Sequence, residues 1–218
     1  MSTKVTAAKA RNTIYLASQS PRRAELLKLW GVDAELLVPT PDEAEAAEAL
    51  EAELEDERAL AYVKRVTQLK LAAAIERMQA RELPPRVVLC ADTTVALNGQ
   101  ILGKPTSAAH AKRMLGGLSG NTHHVFTAVA VGRLSKQGKV SVDLAVSRST
   151  VTFAQLSRAQ INAYVATGEP MGKAGGYGIQ GLAGAFVPHI GGSYSGIMGL
   201  PAFETCQLLR SAGVQLAV

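Results

Sequence analysis

Leu16-Ala17-Ser18-Gln19-Ser20-Pro21-Arg22-Arg23 is the stretch on which the reading of this chain turns. An apolar β-type segment (Ile14, Tyr15, Leu16, Ala17) runs into it, and an amphipathic helical pattern (Leu26, Leu27, Leu29, Trp30) runs out of it and stops at Gly31. Ser20 is a good N-cap, and Pro21 takes the first helical position, where its missing N–H would have had no partner anyway. The unit is therefore strand, tight loop, helix. Arg22 and Arg23 then sit in the first helical turn, where a cation opposes the helix dipole at a cost on the order of 0.3–1 kcal/mol each. A bound anion reverses that sign, because free backbone N–H groups, two hydroxyls and two guanidiniums would all point at it. The expectation is a phosphate cradle. Its bland alternative is a pair of solvated arginines on a surface helix.

With 218 residues the chain is long enough to bury a sizeable core, as one large α/β domain or two small lobes. A hydrophobic content of 47% with 5% aromatics is that of an ordinary globular protein. No apolar run approaches the ~18 residues a membrane span needs. Met1 to Arg11 is polar and basic, which does not suit a secretory signal. Cys90 and Cys206 make neither a disulfide framework nor a C-x-x-C site, and the chain reads as cytoplasmic. The net charge of +5 hides an asymmetry: nine of the 18 acidic residues lie between Asp42 and Glu57, where there is no Lys or Arg. The rest of the chain carries 23 basic against nine acidic residues, a balance of +14 that suits a polyanionic partner. Aromatic interleaving of the kind single-strand binders use for stacking is missing, so small phosphates fit better than nucleic acid.

Residues 1–12 read as a flexible extension and residues 42–60 as an acidic helical insert, mobile or variable in position, with Glu43 at its start as the residue to watch. Ala61 to Ala80 continues as a helix with Tyr62, Val66, Leu69, Ala73 and Ile75 as its apolar stripe and Lys64, Arg65 and Lys70 on or beside it. Arg86 to Asp92 reads as a buried strand that ends in a carboxylate. Asn98-Gly99 then signals a hairpin, which returns Lys104 to the level of Asp92. Thr106 and Ser107 can cap a helix through Leu115, with Gly116-Gly117 as its end. His124 to Leu134 and Val140 to Phe153 are long β-type runs joined across Gln137-Gly138. Ser157 to Ala166 reads as helix, 168–199 as a glycine-rich tract, and Pro201 opens a last helix that ends near Gly213. Strands alternate with helices, yet the hairpin and the consecutive long strands require a mixed sheet.

Several motifs match on paper and fail in context. Gly176-x-Gly178-x-x-Gly181 has the spacing of a dinucleotide fingerprint but is followed by a strand-like run. Gly168 to Lys173 is one residue short of a P-loop, and Ala174 replaces its Ser/Thr. The four histidines show no metal spacing, and Ser193 and Ser195 straddle Tyr194 where a nucleophile elbow would need a serine. Adjacent His123 and His124 cannot share a face of a strand, and Cys90 reads as inert packing. What remains is a spread of phosphate and metal groups: Ser18, Arg22, Arg23, Glu43, Lys70, Asp92, Lys104 and Lys173. Together they suit phosphoanhydride hydrolysis, in which cations neutralise phosphate charge and carboxylates hold a hard cation and orient water.

Leu16 to Arg23, Ala91-Asp-Thr-Thr-Val95, Leu102-Gly-Lys-Pro105 and Leu118-Ser-Gly120 with His123 or His124 resemble the Maf family of nucleoside triphosphate pyrophosphatases. So do Lys173 to Gly181, Gly192-Ser-Tyr-Ser195 and Gly199-Leu-Pro201, so that the likeness runs from about residue 14 to 212. The resemblance implies one Maf-like domain over 1–218, an α/β fold of two lobes around a long mixed sheet (Maf/ITPase-like) with the site in the cleft, and usually a homodimer. It implies cleavage between the α and β phosphates of a nucleoside triphosphate, dependent on Mg²⁺ or another divalent cation. Asp92 matches the catalytic, metal-binding carboxylate, Glu43 falls where a metal-binding or catalytic acid is expected, and Ser18, Arg22, Lys70 and Lys104 match phosphate-contacting positions. Thr93, Gln180 and Arg23 are similar to the branch acting on dTTP and UTP, with 7-methyl-GTP as the alternative. A non-catalytic nucleotide or nucleic-acid binder linked to septum formation is the competing class. Gly196, where a bulkier residue is more usual, and the long acidic insert depart from the family pattern.

Overall fold

The computed structural model describes residues 12–135 and 137–217, so all but the last residue of the expected N-terminal extension lies outside the described residues. The elements are β1 (Thr13–Leu16), α1 (Pro21–Leu29), β2 (Asp33–Leu36), α2 (Ala44–Ala49), α3 (Ala59–Ala80), β3 (Val88–Leu97) and β4 (Gln100–Leu102). They continue with α4 (Ala108–Leu118), β5 (Thr122–Leu134), β6 (Val140–Thr152), α5 (Arg158–Ala166), β7 (His189–Gly191), α6 (Tyr194–Met198) and α7 (Ala202–Ser211). The strands form one seven-stranded sheet in the order β2-β1-β3-β5-β6-β7, with β4 also on β3. β1 is parallel to both β2 and β3, and the remaining pairs are antiparallel, so the sheet is mixed.

β3 positions the site. Its first residues pair with β1 (Tyr15↔Val88, Leu16↔Leu89), and its last three pair with β4, from Val95↔Leu102 to Leu97↔Gln100. Both partners use the same edge of β3, because β5 runs along the other from Val88 to Ala96. Neither β1 nor β4 reaches Asp92 or Thr93. β1 has already turned away through Ser18 into α1, and β4 is only three residues long. A split of this kind at a strand's carboxyl end is where open α/β sheets leave room for a ligand.

Strand alternation divides the cores on either side of that split. Ile14, Leu16, Leu89 and Ala91 pack with Leu27 of α1 and Leu209 of α7 on one face. Tyr15, Val88 and Cys90 pack with Leu71, Ala74 and Met78 of α3 on the other. Each such fully buried Leu or Met is worth roughly 1.5–3 kcal/mol. Beyond the split, Val95, Val125, Val151 and Phe153 meet Leu115 and Leu118 of α4, Tyr164 of α5, and Tyr177 and Ile179 from the glycine-rich tract. Two lobes on one long sheet result.

Three local expectations shift. Leu69 is 39% exposed while Leu71 is 1% exposed, because Thr67, Leu71, Ala74 and Met78 define the face that α3 buries. α4 runs through Gly116 and Gly117 to Leu118, since Ala111, Leu115 and Leu118 are one buried stripe whose packing outweighs the glycine cost. The acidic segment forms a 3₁₀ turn (Pro41–Glu43) and the six-residue α2, then continues without helix to Arg58, because none of its side chains is buried to hold a longer one. The Asn98-Gly99 turn behaves as read: both residues have positive φ (51° and 85°), the signature of a two-residue hairpin turn.

His123 ties the glycine-rich tract to β5. Its Nε2 lies 2.7 Å from the Tyr177 hydroxyl, and its ring packs edge-on against Phe153 and Tyr177. Burial first, and the neighbouring His124 second, push its pKa down to about 4. The folded ring is thus neutral where the unfolded one already takes a proton. His123 should therefore withdraw roughly 3 kcal/mol of stability as pH falls from about 6.5 to about 4, with no further change below. Urea denaturation across that range should be less pH-dependent in His123→Gln than in wild type. Equal slopes would refute the coupling.

Candidate active site

A cleft of about 790 Å³ opens over the split in the sheet. Alternation along β3 sends neighbouring side chains to opposite walls. Asp92 meets α3, where Lys70 Nζ donates to Asp92 Oδ1 at 2.6 Å. Thr93 meets α1, where Arg23 Nη2 lies 3.5 Å from Thr93 Oγ1. The hairpin brings Lys104 to the same wall as Lys70, as its register predicts, and the two ammoniums share one carboxylate: Lys70 holds Glu51 Oε1 at 2.7 Å and Lys104 holds Oε2 at 2.8 Å. Burial lowers the pKa of Lys70, but Asp92 and Glu51 more than restore it, so that it ends above the ordinary value. For Glu51, burial raises the pKa and the two lysines outweigh that, holding it below the ordinary value.

Ser18 and the two arginines divide their work. Ser18 is buried, and its Oγ accepts from Ser20 N (3.2 Å) and Arg23 Nη1 (2.8 Å). Arg23 Nε donates to Gly199 O at 2.7 Å, and Thr93 Oγ1 continues to Thr127 Oγ1 (3.0 Å), which donates to Gly196 O at 2.7 Å. Arg23 is thus a strut joining the β1–α1 loop to the α6–α7 connection, where Gly199 has φ +115°. Arg22 is less committed, with one long bond of 3.4 Å from Nε to Met198 O. Ser20 stands at the N-cap without a capping side-chain bond, leaving its hydroxyl on the cleft wall.

Lys173 also lines the cleft and donates to the Glu169 carbonyl. Burial, then repulsion from Arg22, lowers its pKa. Two cations held close enough to repel are an arrangement that an anion between them would stabilise.

Of the residues singled out in the sequence, Ser18, Arg22, Arg23, Lys70, Asp92, Thr93, Lys104 and Lys173 all line this one cleft. Glu43 and Gln180 are not on its wall. Glu43 accepts from Thr40 N at 2.8 Å as part of a capping box and pairs with Arg77 and Arg81, both at 3.0 Å. Its carboxylate closes the 3₁₀ turn and pairs with two arginines, off the cleft wall where the sequence reading expected it. Gln180 is exposed, with its amide near Gly178, and Thr93 is bonded to Arg23 and Thr127. Glu51 is the residue that sequence reading missed. It is one of nine acids in a run, and no periodicity separates it from the others. Gly196 lies outside the cleft as well: it is buried in α6, where an added Cβ would stand 3.1 Å from Ser147 Oγ.

Cys90 faces α3 in full burial, which pushes its thiol up to about 11 and leaves it inert. Among the described residues no helix is long and apolar enough to cross a membrane, and no group of three or more His, Cys, Asp or Glu could hold a metal on its own.

Known proteins resemble this chain over nearly its whole length. The model of the Maf-like protein family matches residues 13–212. A protein of Albidiferax ferrireducens named dTTP/UTP pyrophosphatase is 59% identical over 203 residues, 93% of this chain and 98% of that one. Proteins of the same name from Polaromonas sp. and Ralstonia nicotianae are 57% and 56% identical, covering 95% and 93% of this chain and 99% and 95% of their own lengths. Among solved structures, a HAM1 protein from Coxiella burnetii overlaps 67% of this chain and 75% of its own at 14% identity and a TM-score of 0.42. From the first strand to the last helix, the match leaves one conclusion: the chain belongs to the Maf family.

Proposed function

We propose that this protein hydrolyses dTTP and UTP between the α and β phosphates, releasing the nucleoside monophosphate and pyrophosphate. The observation that carries the reading is Asp92 set at the floor of a cleft walled by Lys70, Lys104, Arg22 and Lys173. A carboxylate facing phosphates is of no use to a simple polyanion binder, whereas hydrolysis needs one. Water adds to the α-phosphorus as the bond to the bridging oxygen breaks. Asp92 accepts the water's proton, the lysines and Arg22 balance the charge that builds on the phosphate oxygens, and pyrophosphate leaves. The relatives named dTTP/UTP pyrophosphatase support the substrate choice.

The donor set fits Mg²⁺ or another hard cation: Asp92 offers carboxylate oxygen, and a cation with so few protein ligands would complete its shell with substrate phosphates, as Mg²⁺ commonly does. Asp92 is the residue that would hold it, and when bound the cation polarises the phosphate under attack. A cytoplasmic homodimer completes the proposal. Tyr194 and Phe203, 47% and 71% exposed on the neighbouring helices α6 and α7, suit a partner surface.

Pyrophosphate release with Mg²⁺ should be compared across dTTP, UTP, CTP, ATP, GTP and 7-methyl-GTP at one enzyme concentration. Preference for dTTP and UTP is the expected result. Preference for 7-methyl-GTP would overturn the substrate, and no release from folded protein would overturn the chemistry.

A further inference from the structure

His123 is buried behind the cleft wall, with the rings of Phe153 and Tyr177 at 5.3 and 5.4 Å between centroids. Its Nδ1 is buried with no hydrogen-bond partner among the described residues, a defect of about 1–3 kcal/mol that a leucine would avoid. Nε2 keeps the 2.7 Å hydrogen bond with the Tyr177 hydroxyl. Packing alone therefore does not account for a histidine here, and the bond to Tyr177 is what the imidazole supplies. Tyr177 carries that bond forward to the cleft, which its ring lines. Just before it, Lys173 to Gly176 form a turn closed by Gly176 N donating to Lys173 O at 2.9 Å. Gly175 N donates to Gly103 O at 3.0 Å, so the same turn braces the residue next to Lys104. Just after Tyr177, the Lys173 stem lies over Gly178, where an added Cβ would stand 3.2 Å from Lys173 Cε. The backbone on either side of Tyr177 thus directs one cleft cation and braces the loop of another.

We propose that His123 is a positioning residue for the phosphate-binding cations: through the Tyr177 hydroxyl it fixes the 173–178 turn, and with it Lys173 and the Gly103–Lys104 loop. The inference rests on the hydrolase reading only for what the cations hold. Glycines at 175, 176 and 178 give the turn no side chains of their own to anchor it there. Tyr177 is the large side chain within it, and its ring alone, packed edge-on against Phe153 at 5.0 Å, leaves the ring free to slide in its own plane. The hydroxyl bond to β5 removes that freedom. Cations displaced from the phosphate oxygens lose binding that is the same before and during bond breaking, so KM rises and kcat does not fall. His123 itself is off the cleft wall and takes no part in the chemistry.

The test compares three variants with wild type. Tyr177→Phe removes one oxygen and keeps the ring, His123→Leu removes the same bond from the other side, and His123→Gln restores it through an amide nitrogen placed near Nε2. Calorimetric binding of inorganic pyrophosphate, without divalent metal, should weaken about tenfold in the first two, the scale of a charged hydrogen bond lost. His123→Gln should recover most of that loss. In steady state, KM for the nucleotide should rise by a similar factor, with kcat within a few-fold. The pyrophosphate effect of Tyr177→Phe should shrink in a Lys173→Ala background, because the cation being positioned is then gone, whereas any loss of melting temperature should persist. Pyrophosphate affinity unchanged in Tyr177→Phe, whatever its melting temperature, would overturn the proposal, since a merely structural pair gives that result. An equal loss of affinity with and without Lys173 would overturn it too. The binding arm needs no turnover, so its outcome is separate from that of the hydrolase reading.

Discussion

Asp92→Asn should abolish turnover and keep binding. Asparagine is nearly isosteric, and its Oδ1 can still accept from Lys70, which also retains Glu51, so the split in the sheet keeps its shape. What disappears is the proton acceptor for water, a loss on the order of 10²–10⁴-fold in kcat. Affinity for a non-hydrolysable dTTP analogue should hold or improve, because a negative charge facing the phosphates has been removed. The two effects separate catalysis from binding at one atom. Pyrophosphate release and calorimetry on the same preparation would measure them, and turnover within tenfold of wild type would remove Asp92 from the mechanism.

Arg23→Ala should act on the fold before it acts on the substrate. The guanidinium donates to Gly199 O, Ser18 Oγ and Thr93 Oγ1, and so joins two loops that are far apart in sequence. Charged hydrogen bonds of this kind are worth about 1.5–3 kcal/mol each but do not add, so a loss of about 3 kcal/mol is expected. For a chain of this size that corresponds to roughly 6–12 °C in Tm. Arg23→Lys should recover little, since one ammonium cannot serve three directions as a planar fork does. Arg22→Ala should show the opposite pattern, with Tm nearly unchanged and KM raised, because Arg22 has only a 3.4 Å bond to Met198 O to lose. A melting temperature unchanged in Arg23→Ala would mean that the arginine is held by the ligand, as the phosphate-cradle reading of the sequence has it.

The same pair of arginines marks the limit of sequence reading here. Strand, loop and helix around Ser18 are legible because Pro21 and Gly31 act locally, through a fixed φ and a φ of +77°. The Asn98-Gly99 hairpin is legible for the same reason, and it brings Lys104 to Asp92 by register alone. A mixed sheet follows from consecutive long strands, and the family from motifs in order. None of this requires knowledge of which distant groups meet.

What only the tertiary structure decided is how each charge is used. Arg22 and Arg23 are equivalent as residue types and both line the cleft, yet Arg22 makes one long bond to Met198 O while Arg23 braces Gly199 O, Ser18 and Thr93, because successive positions on a helix point in different directions. Glu43 and Glu51 belong to one acidic run, yet the first closes a 3₁₀ turn against Arg77 and Arg81, and the second enters the Lys70–Lys104 fork. Gln180, three residues after Tyr177 in the same matching motif, stays at the surface while Tyr177 is buried on His123. The chain by itself determined the elements, the family and eight of the residues that line the cleft, since these rest on local backbone preference and on residue type. The folded molecule alone assigned the roles of strut and cleft cation among them and added Glu51 beside Lys70 and Lys104, since a charge takes its role from whichever opposite charge packing sets beside it.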